Sequence, residues 1–278
     1  MTKRNVGLLG ATCLLVSAAA RVTAQEPPPP PKILQIYREE VKPGKGPAHA
    51  KVEAGWPAAF AKANWPSHYL ALTSLTGPSE AWFVSGWDSM AAWEKDTKAV
   101  EGNTALSAEL DALTEKDGEL LSGGSGLLLS YREDLSNTPN VDLSKMRYFR
   151  IITIRVRPGH ENDFTGAVKI FKDAYKKANI SLPWAVFRVE AGMPGPTFTV
   201  WIPMTSLAEL DATMKAGKAI QDAEGEDGQK ALAKAAADGY NFTTQNIFAV
   251  SPKMSYPPKE WVAKDPDFWA PKAAEKKK

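Results

Sequence analysis

The chain has 278 residues, 44% hydrophobic and 24% charged, which supplies enough apolar material for a sizeable core. Its 34 Lys and Arg stand against 32 Asp and Glu, and a net charge of +2 excludes the strong positive field that nucleic-acid binding requires. The single cysteine, Cys13, lies in the apolar N-terminal run, so the remaining chain can form no disulfide, thiolate nucleophile or thiolate metal site.

The N-terminus has the order of a secretory signal. Lys3 and Arg4 are followed by an apolar or small stretch from Val6 to Ala20, then by Val22-Thr23-Ala24. This predicts a signal peptide over residues 1–24, a mature start at Gln25, and a periplasmic or extracellular protein. Residues 25–32 form a spacer in which Pro27 to Pro31 favour a stiff polyproline helix. No segment after the first 25 residues is long and apolar enough to cross a membrane.

An internal repeat then organises the chain. Val41-Lys42-Pro43-Gly44-Lys45 returns as Val156-Arg157-Pro158-Gly159-His160, and Phe60-Ala61-Lys62-Ala63-Asn64 returns as Tyr175-Lys176-Lys177-Ala178-Asn179, both 115 residues on. Each copy predicts a strand (Ile33 to Val41; Tyr148 to Val156), a Pro-Gly turn and a helix (Pro47 to Asn64; Glu161 to Asn179). Two strands joined by a Gly-Pro turn follow: Tyr69 to Leu75 with Ala81 to Trp87, and Trp184 to Glu190 with Phe198 to Ile202. A helical stretch comes next (Met90 to Leu121; Leu207 to Asp238), interrupted near Gly102 and near Gly225 to Gly228. A last strand closes each copy (Gly126 to Tyr131; Asn246 to Val250), with Gly123-Gly124-Ser125-Gly126 read as a linker into the first of them. The predicted units span 33–136 and 146–256, with a linker at 137–145 and a Pro-, Trp- and Lys-containing tail at 257–278.

The order βαββαβ defines a ferredoxin-like unit, an antiparallel sheet with helices on one face. The strands are apolar on both faces: Leu34 and Ile36 oppose Ile33, Tyr37 and Val41, and Phe149 and Ile151 oppose Tyr148, Ile152, Ile154 and Val156. Helices cover one face, and a bare apolar sheet face is rare on a soluble monomer, so the two sheets are expected to pack face to face. The predicted fold class is therefore α+β, two tandem ferredoxin-like units forming an intramolecular α+β barrel. A barrel closed within one chain is compatible with a monomer.

The strand, the Val-Lys-Pro-Gly-Lys turn and the helix after it resemble the dimeric α+β barrel superfamily, nearest its NIPSNAP-like and antibiotic-biosynthesis-monooxygenase-like proteins. The resemblance covers roughly Ile33 to Tyr256. It implies the barrel and leaves function open, because the superfamily includes haem-degrading oxygenases, chlorite dismutases, cofactor-free monooxygenases and members without known activity. Its haem-degrading members place an axial histidine on the later helical stretch, and neither Met90 to Leu121 nor Leu207 to Asp238 contains one.

No catalytic motif is present: there is no GxSxG, P-loop, dinucleotide fingerprint, HxH or HExxH. No catalytic residue, metal site or cofactor is predicted from the residues; haem enters through the resemblance alone. His160 and His68 read as solvated turn and strand-end residues, and Glu39-Glu40 as solvated strand-end charge. His49, Val52, Trp56, Phe60 and Ala63 recur at helical spacing on one inward face, and the second copy has Phe164 where the first has His49. His49 is either a core histidine bonded to a backbone carbonyl or a ligand contact. Pro57 predicts a kink in the same helix, whereas the second copy has Lys172 there. A ligand site is thus expected in the first copy, lined by His49, Trp56, Phe60, Trp82 and Trp87. The corresponding function is an exported barrel that binds a small apolar or aromatic molecule, or a protein partner, without catalysis. The alternatives are a cofactor-free or haem-dependent oxygenase and a structural envelope protein.

Overall fold

The computed structural model describes residues 29–138 and 141–270. The predicted signal peptide lies outside them. The first half contains β1 (Ile33–Val41), α1 (Gly46–Glu53), α2 (Gly55–Lys62), β2 (Tyr69–Ser74), β3 (Glu80–Trp87), α3 (Met90–Gly102), α4 (Thr104–Gly118) and β4 (Leu121–Tyr131). The second contains β5 (Tyr148–Val156), α5 (Glu161–Lys177), β6 (Ala185–Ala191), β7 (Thr197–Met204), α6 (Ala208–Gly239) and β8 (Tyr240–Val250). Two short helices, α7 (Lys259–Lys264) and α8 (Pro266–Trp269), end the described chain.

The strands close into one antiparallel barrel in the order β1-β3-β2-β8-β5-β7-β6-β4. Each half contributes the ferredoxin-like order, and the seams are β2 with β8 and β4 with β6. Among the described strands, closure leaves no sheet edge to recruit another chain. The sheets therefore share one continuous hydrogen-bonded wall. Leu34, Ile36, Trp82, Phe149, Ile151, Trp201 and Phe248 fill the interior, as the alternation along each strand requires. Helices cover the outer face, with Phe164 and Val168 of α5 packed over Val156 and Phe198.

Local chemistry repeats with the sequence. Gly44 and Gly159 adopt positive φ (76° and 89°) in the two Pro-Gly turns, a conformation open to glycine. Asn64 and Asn179 (φ 49° and 55°) end the following helices, and the next amides, of Trp65 and Ile180, bond back to Phe60 and Tyr175, both at 2.9 Å.

The kink expected from Pro57, and two departures from the sequence reading, have physical causes. The helix expected over Pro47 to Asn64 breaks into α1 and α2 at Ala54, because Pro57 lacks an N–H and crowds the Glu53 carbonyl; α5 runs unbroken. The β4 strand begins at Leu121, five residues earlier than expected, and its glycines pair with Glu40, Glu39 and Tyr37. A Cβ on Gly123 or Gly124 would lie 3.3 Å from the Glu40 carboxylate or the Tyr37 hydroxyl, so the apparent linker is a strand made of residues that fit. The β8 strand likewise begins at Tyr240 rather than Asn246, its polar residues paired with β5.

Gly55 lets α2 approach α4, since a Cβ there would stand 2.4 Å from Leu113 Cδ2. The second half reverses the sizes, with Ile170 against Gly228. The close approach brings the end of α4 over α1.

Candidate functional site

Four ionisable side chains meet beneath that approach. His49 and Glu53 lie one turn apart on α1, so both face the sheet. Glu39 rises towards them from β1, and Asp117 descends from the last turn of α4. Glu39 is 5% exposed, and His49, Glu53 and Asp117 are each 2% exposed. His49 Nε2 is 2.8 Å from Glu39 Oε2 and 3.7 Å from Asp117 Oδ1. One potential ligand atom from each of the four residues falls within 4.8 Å of all the others.

This cluster is costly as a purely structural feature. Three buried carboxyls with one imidazole cannot all ionise. Burial, then the charges of Glu39 and Asp117, pushes the Glu53 pKa up to about 9. Burial and Glu39 raise Asp117 to about 6, against the opposing pull of His49. Asp117 also stands at a helix C-terminus, where the backbone dipole disfavours a carboxylate. Glu53 Oε1 and Asp117 Oδ1 are buried without hydrogen-bond partners, as is the hydroxyl of nearby Tyr69. Burial, then Glu53 and Glu39, raises the Tyr69 pKa. Each unpaired buried group costs about 1–3 kcal/mol.

The second half shows that the fold does without this polarity. At the 115-residue offset Glu39, His49 and Glu53 correspond to Ile154, Phe164 and Val168. Phe164 there is fully buried and stacks on Phe198 at 4.2 Å.

The five residues expected to line a site do not share one cavity. His49 joins the acid cluster. Trp56 is half-buried on α2, and Phe60 packs among Trp65, Tyr69 and Tyr256 at 5.8–6.4 Å. Trp82 points into the barrel, where Nε1 donates to Glu80 Oε2 at 2.6 Å and the ring lies 4.6 Å from Phe248. Strand alternation places it on the opposite sheet face from Glu39. Trp87 ends β3 beside Trp93 at 6.5 Å.

Other expectations are corrected as well. Glu39 is a buried site residue, whereas Glu40 is exposed. The hydrogen-bond partner of His49 is a carboxylate rather than a backbone carbonyl. Where no metal site is predicted, four groups able to ligate one converge. His68 is half-buried against Tyr256 at 4.8 Å, while His160 sits at the expected turn, paired with Asp163 at 2.7 Å. The readable signal for Glu39 and Glu53 was the apolar pair Ile154 and Val168 at the repeat offset.

A haem, which the family resemblance implies, fits neither the acid cluster nor the barrel interior. The cluster surrounds its imidazole with carboxylates. The interior cavity, lined by Arg38, Trp82, Thr199 and Asn246 among others, has about 190 Å³ and no histidine, below the roughly 300–1,000 Å³ of small-molecule sites.

No family model matches the chain, and no curated protein matches it in sequence. Solved structures do match in shape. An anthrone oxidase-like protein is 14% identical over 82% of this chain and 95% of its own, with a TM-score of 0.54. A mutant chlorite dismutase from Candidatus Nitrospira defluvii, in complex with cyanide, is 11% identical over 84% of this chain and 95% of its own, at a TM-score of 0.48. At 14% identity the likeness to the anthrone oxidase-like protein is one of architecture: the two share an α+β fold, which in this chain is a closed eight-stranded antiparallel barrel.

Proposed function

We propose that this chain is a divalent-metal protein that holds one transition-metal ion at Glu39, His49, Glu53 and Asp117. One observation carries the reading: four buried ionisable groups, with two carboxyl oxygens lacking partners, occupy the place where the other half sets the apolar Ile154, Phe164 and Val168. A cation would satisfy those oxygens, displace the Glu53 proton and offset the mutual repulsion of the carboxylates. One imidazole with three carboxylates suits Mn²⁺, Fe²⁺ or Zn²⁺; the set lacks the thiolates that select softer ions, and its nitrogen ligand disfavours Ca²⁺ and Mg²⁺. The burial of all four groups supports a retained ion, since catalytic centres keep a position open to substrate. An oxygenase role draws support from fold likeness alone.

Chelator-stripped protein dialysed against each of the three ions should retain about one ion per chain by elemental analysis, with a raised melting temperature. A variant carrying Glu39→Ile, His49→Phe and Glu53→Val should fold and retain none. Negligible uptake by the parent, or equal uptake by the variant, would defeat the proposal.

We also propose export, on the strength of the charged start, apolar run and Val22-Thr23-Ala24. Native protein should begin at or near Gln25; recovery of a chain that retains Met1 would count against it.

A further inference from the structure

A second site lies outside the acid cluster. Between the end of α2, the start of β2 and the C-terminal segment is a cavity of about 610 Å³, within the roughly 300–1,000 Å³ typical of small-molecule sites. Trp65, Tyr256 and Trp269 wall it, and His68 stands at its side. Lys253 and Lys259 place two exposed ammonium groups on its lining against one carboxylate, Glu260.

Two of the walls have already spent their polar edges. The Tyr256 hydroxyl donates to the Trp65 carbonyl at 3.0 Å, and Trp269 Nε1 donates to the Ser144 carbonyl at 2.9 Å. Tyr256 is flanked by Phe60 at 5.8 Å and His68 at 4.8 Å, and Trp269 is buried against Trp261 and Phe268, so the ring most open to stacking is the half-buried Trp65. The wall is also fixed in advance. Tyr69 and Tyr256 exchange backbone hydrogen bonds at 3.1 and 3.0 Å, and Asp265 forms ion pairs with Arg147 and Lys145. A preformed wall costs little ordering on binding. Burial lowers the His68 pKa, with the Tyr256 backbone opposing, so the net positive charge around the cavity comes from the lysines.

We propose that this cavity binds a planar aromatic carboxylate of one or two rings, stacked on Trp65 and packed against the edges of Tyr256 and Trp269, with its carboxylate at Lys253 and Lys259. The proposal is independent of the metal reading. It differs from the site expected from sequence in being built largely by the C-terminal segment.

The test is calorimetric titration of the full chain with 2-naphthoate and its neutral isostere 2-naphthamide, in chelator-treated and metal-loaded protein. One naphthoate should bind per chain, about tenfold more tightly than the amide because of its charge. Metal loading should not alter its affinity. A Lys253→Ala/Lys259→Ala variant should lose the preference for the acid while binding the amide as before. A Trp65→Leu variant should weaken both ligands. Absence of saturable binding, equal affinity for acid and amide, or unchanged naphthoate affinity in the double lysine variant would overturn the proposal. Should Trp65→Leu fail to fold, the lysine variant decides alone, because both residues are exposed.

Discussion

His49→Phe is expected to cost the metal-free protein about 3–5 kcal/mol at neutral pH, the range for leaving a buried charge without its partner. His49 Nε2 holds the Glu39 carboxylate at 2.8 Å, and that carboxylate is buried on the sheet. Importing the three second-half residues and removing the remaining carboxyl (Glu39→Ile, His49→Phe, Glu53→Val and Asp117→Ala) should have the opposite result. The same cavity becomes apolar throughout, and replacing a buried ionic group in this way is neutral or stabilising by about 1–4 kcal/mol. Chemical denaturation of parent, single and quadruple variants after chelation measures both effects. If the quadruple variant lost as much stability as the single one, the cluster would be a prop of the fold rather than a binding site.

Metal-free protein should also lose stability as pH rises, contrary to ordinary acid denaturation. Glu53 has an ordinary pKa of 4.5 and a folded value of about 9, so between these values the folded state binds more protons than the unfolded chain. Its contribution is whole below pH 4.5 and declines as pH climbs towards 9. At about 1.4 kcal/mol per pH unit, the full loss is on the order of 6 kcal/mol. Asp117 adds a smaller loss between 3.8 and about 6. Asp134, Asp142 and Asp265, whose pKa values are lowered, act the other way at more acidic pH. Urea melts at pH 5 and 8.5 lie above that region, and between them His68, whose pKa burial lowers, contributes an opposing rise that is the same in parent and Glu53→Gln. The expected result is a steep decline with pH in stripped parent and a shallow one in Glu53→Gln. Bound metal should remove the decline, because it holds Glu53 as the carboxylate. Stability that rose from pH 5 to 8.5 without metal, or an unchanged slope in Glu53→Gln, would show that Glu53 titrates as an ordinary surface acid.

The barrel was legible because its signals are local and occur twice. Pro43-Gly44 and Pro158-Gly159 mark the same turn, Asn64 and Asn179 end the same helix, and strands apolar on both faces demand a second cover. The early start of β4 was hidden by its glycines, whose fit beside Tyr37 and Glu40 depends on a neighbouring strand. The site was half legible. His49 stood out against Phe164, but Glu39 reads as solvated beside Glu40 until strand alternation sets it on the helix side with Val41. Asp117 was not legible, because the repeat offset has drifted there and only the packing of Gly55 on Leu113 brings α4 into place. Trp82 was expected to line one site with His49, and its position in β3 turns it into the barrel.

A crystal soaked in Mn²⁺ after chelation, with diffraction recorded above and below the manganese absorption edge, tests the central claim most directly. The predicted result is one anomalous peak among Glu39, His49, Glu53 and Asp117, at about 2.0–2.3 Å from His49 Nε2 and the carboxylate oxygens. Well-ordered crystals with no peak there, and with His49 still bonded to Glu39, would contradict it.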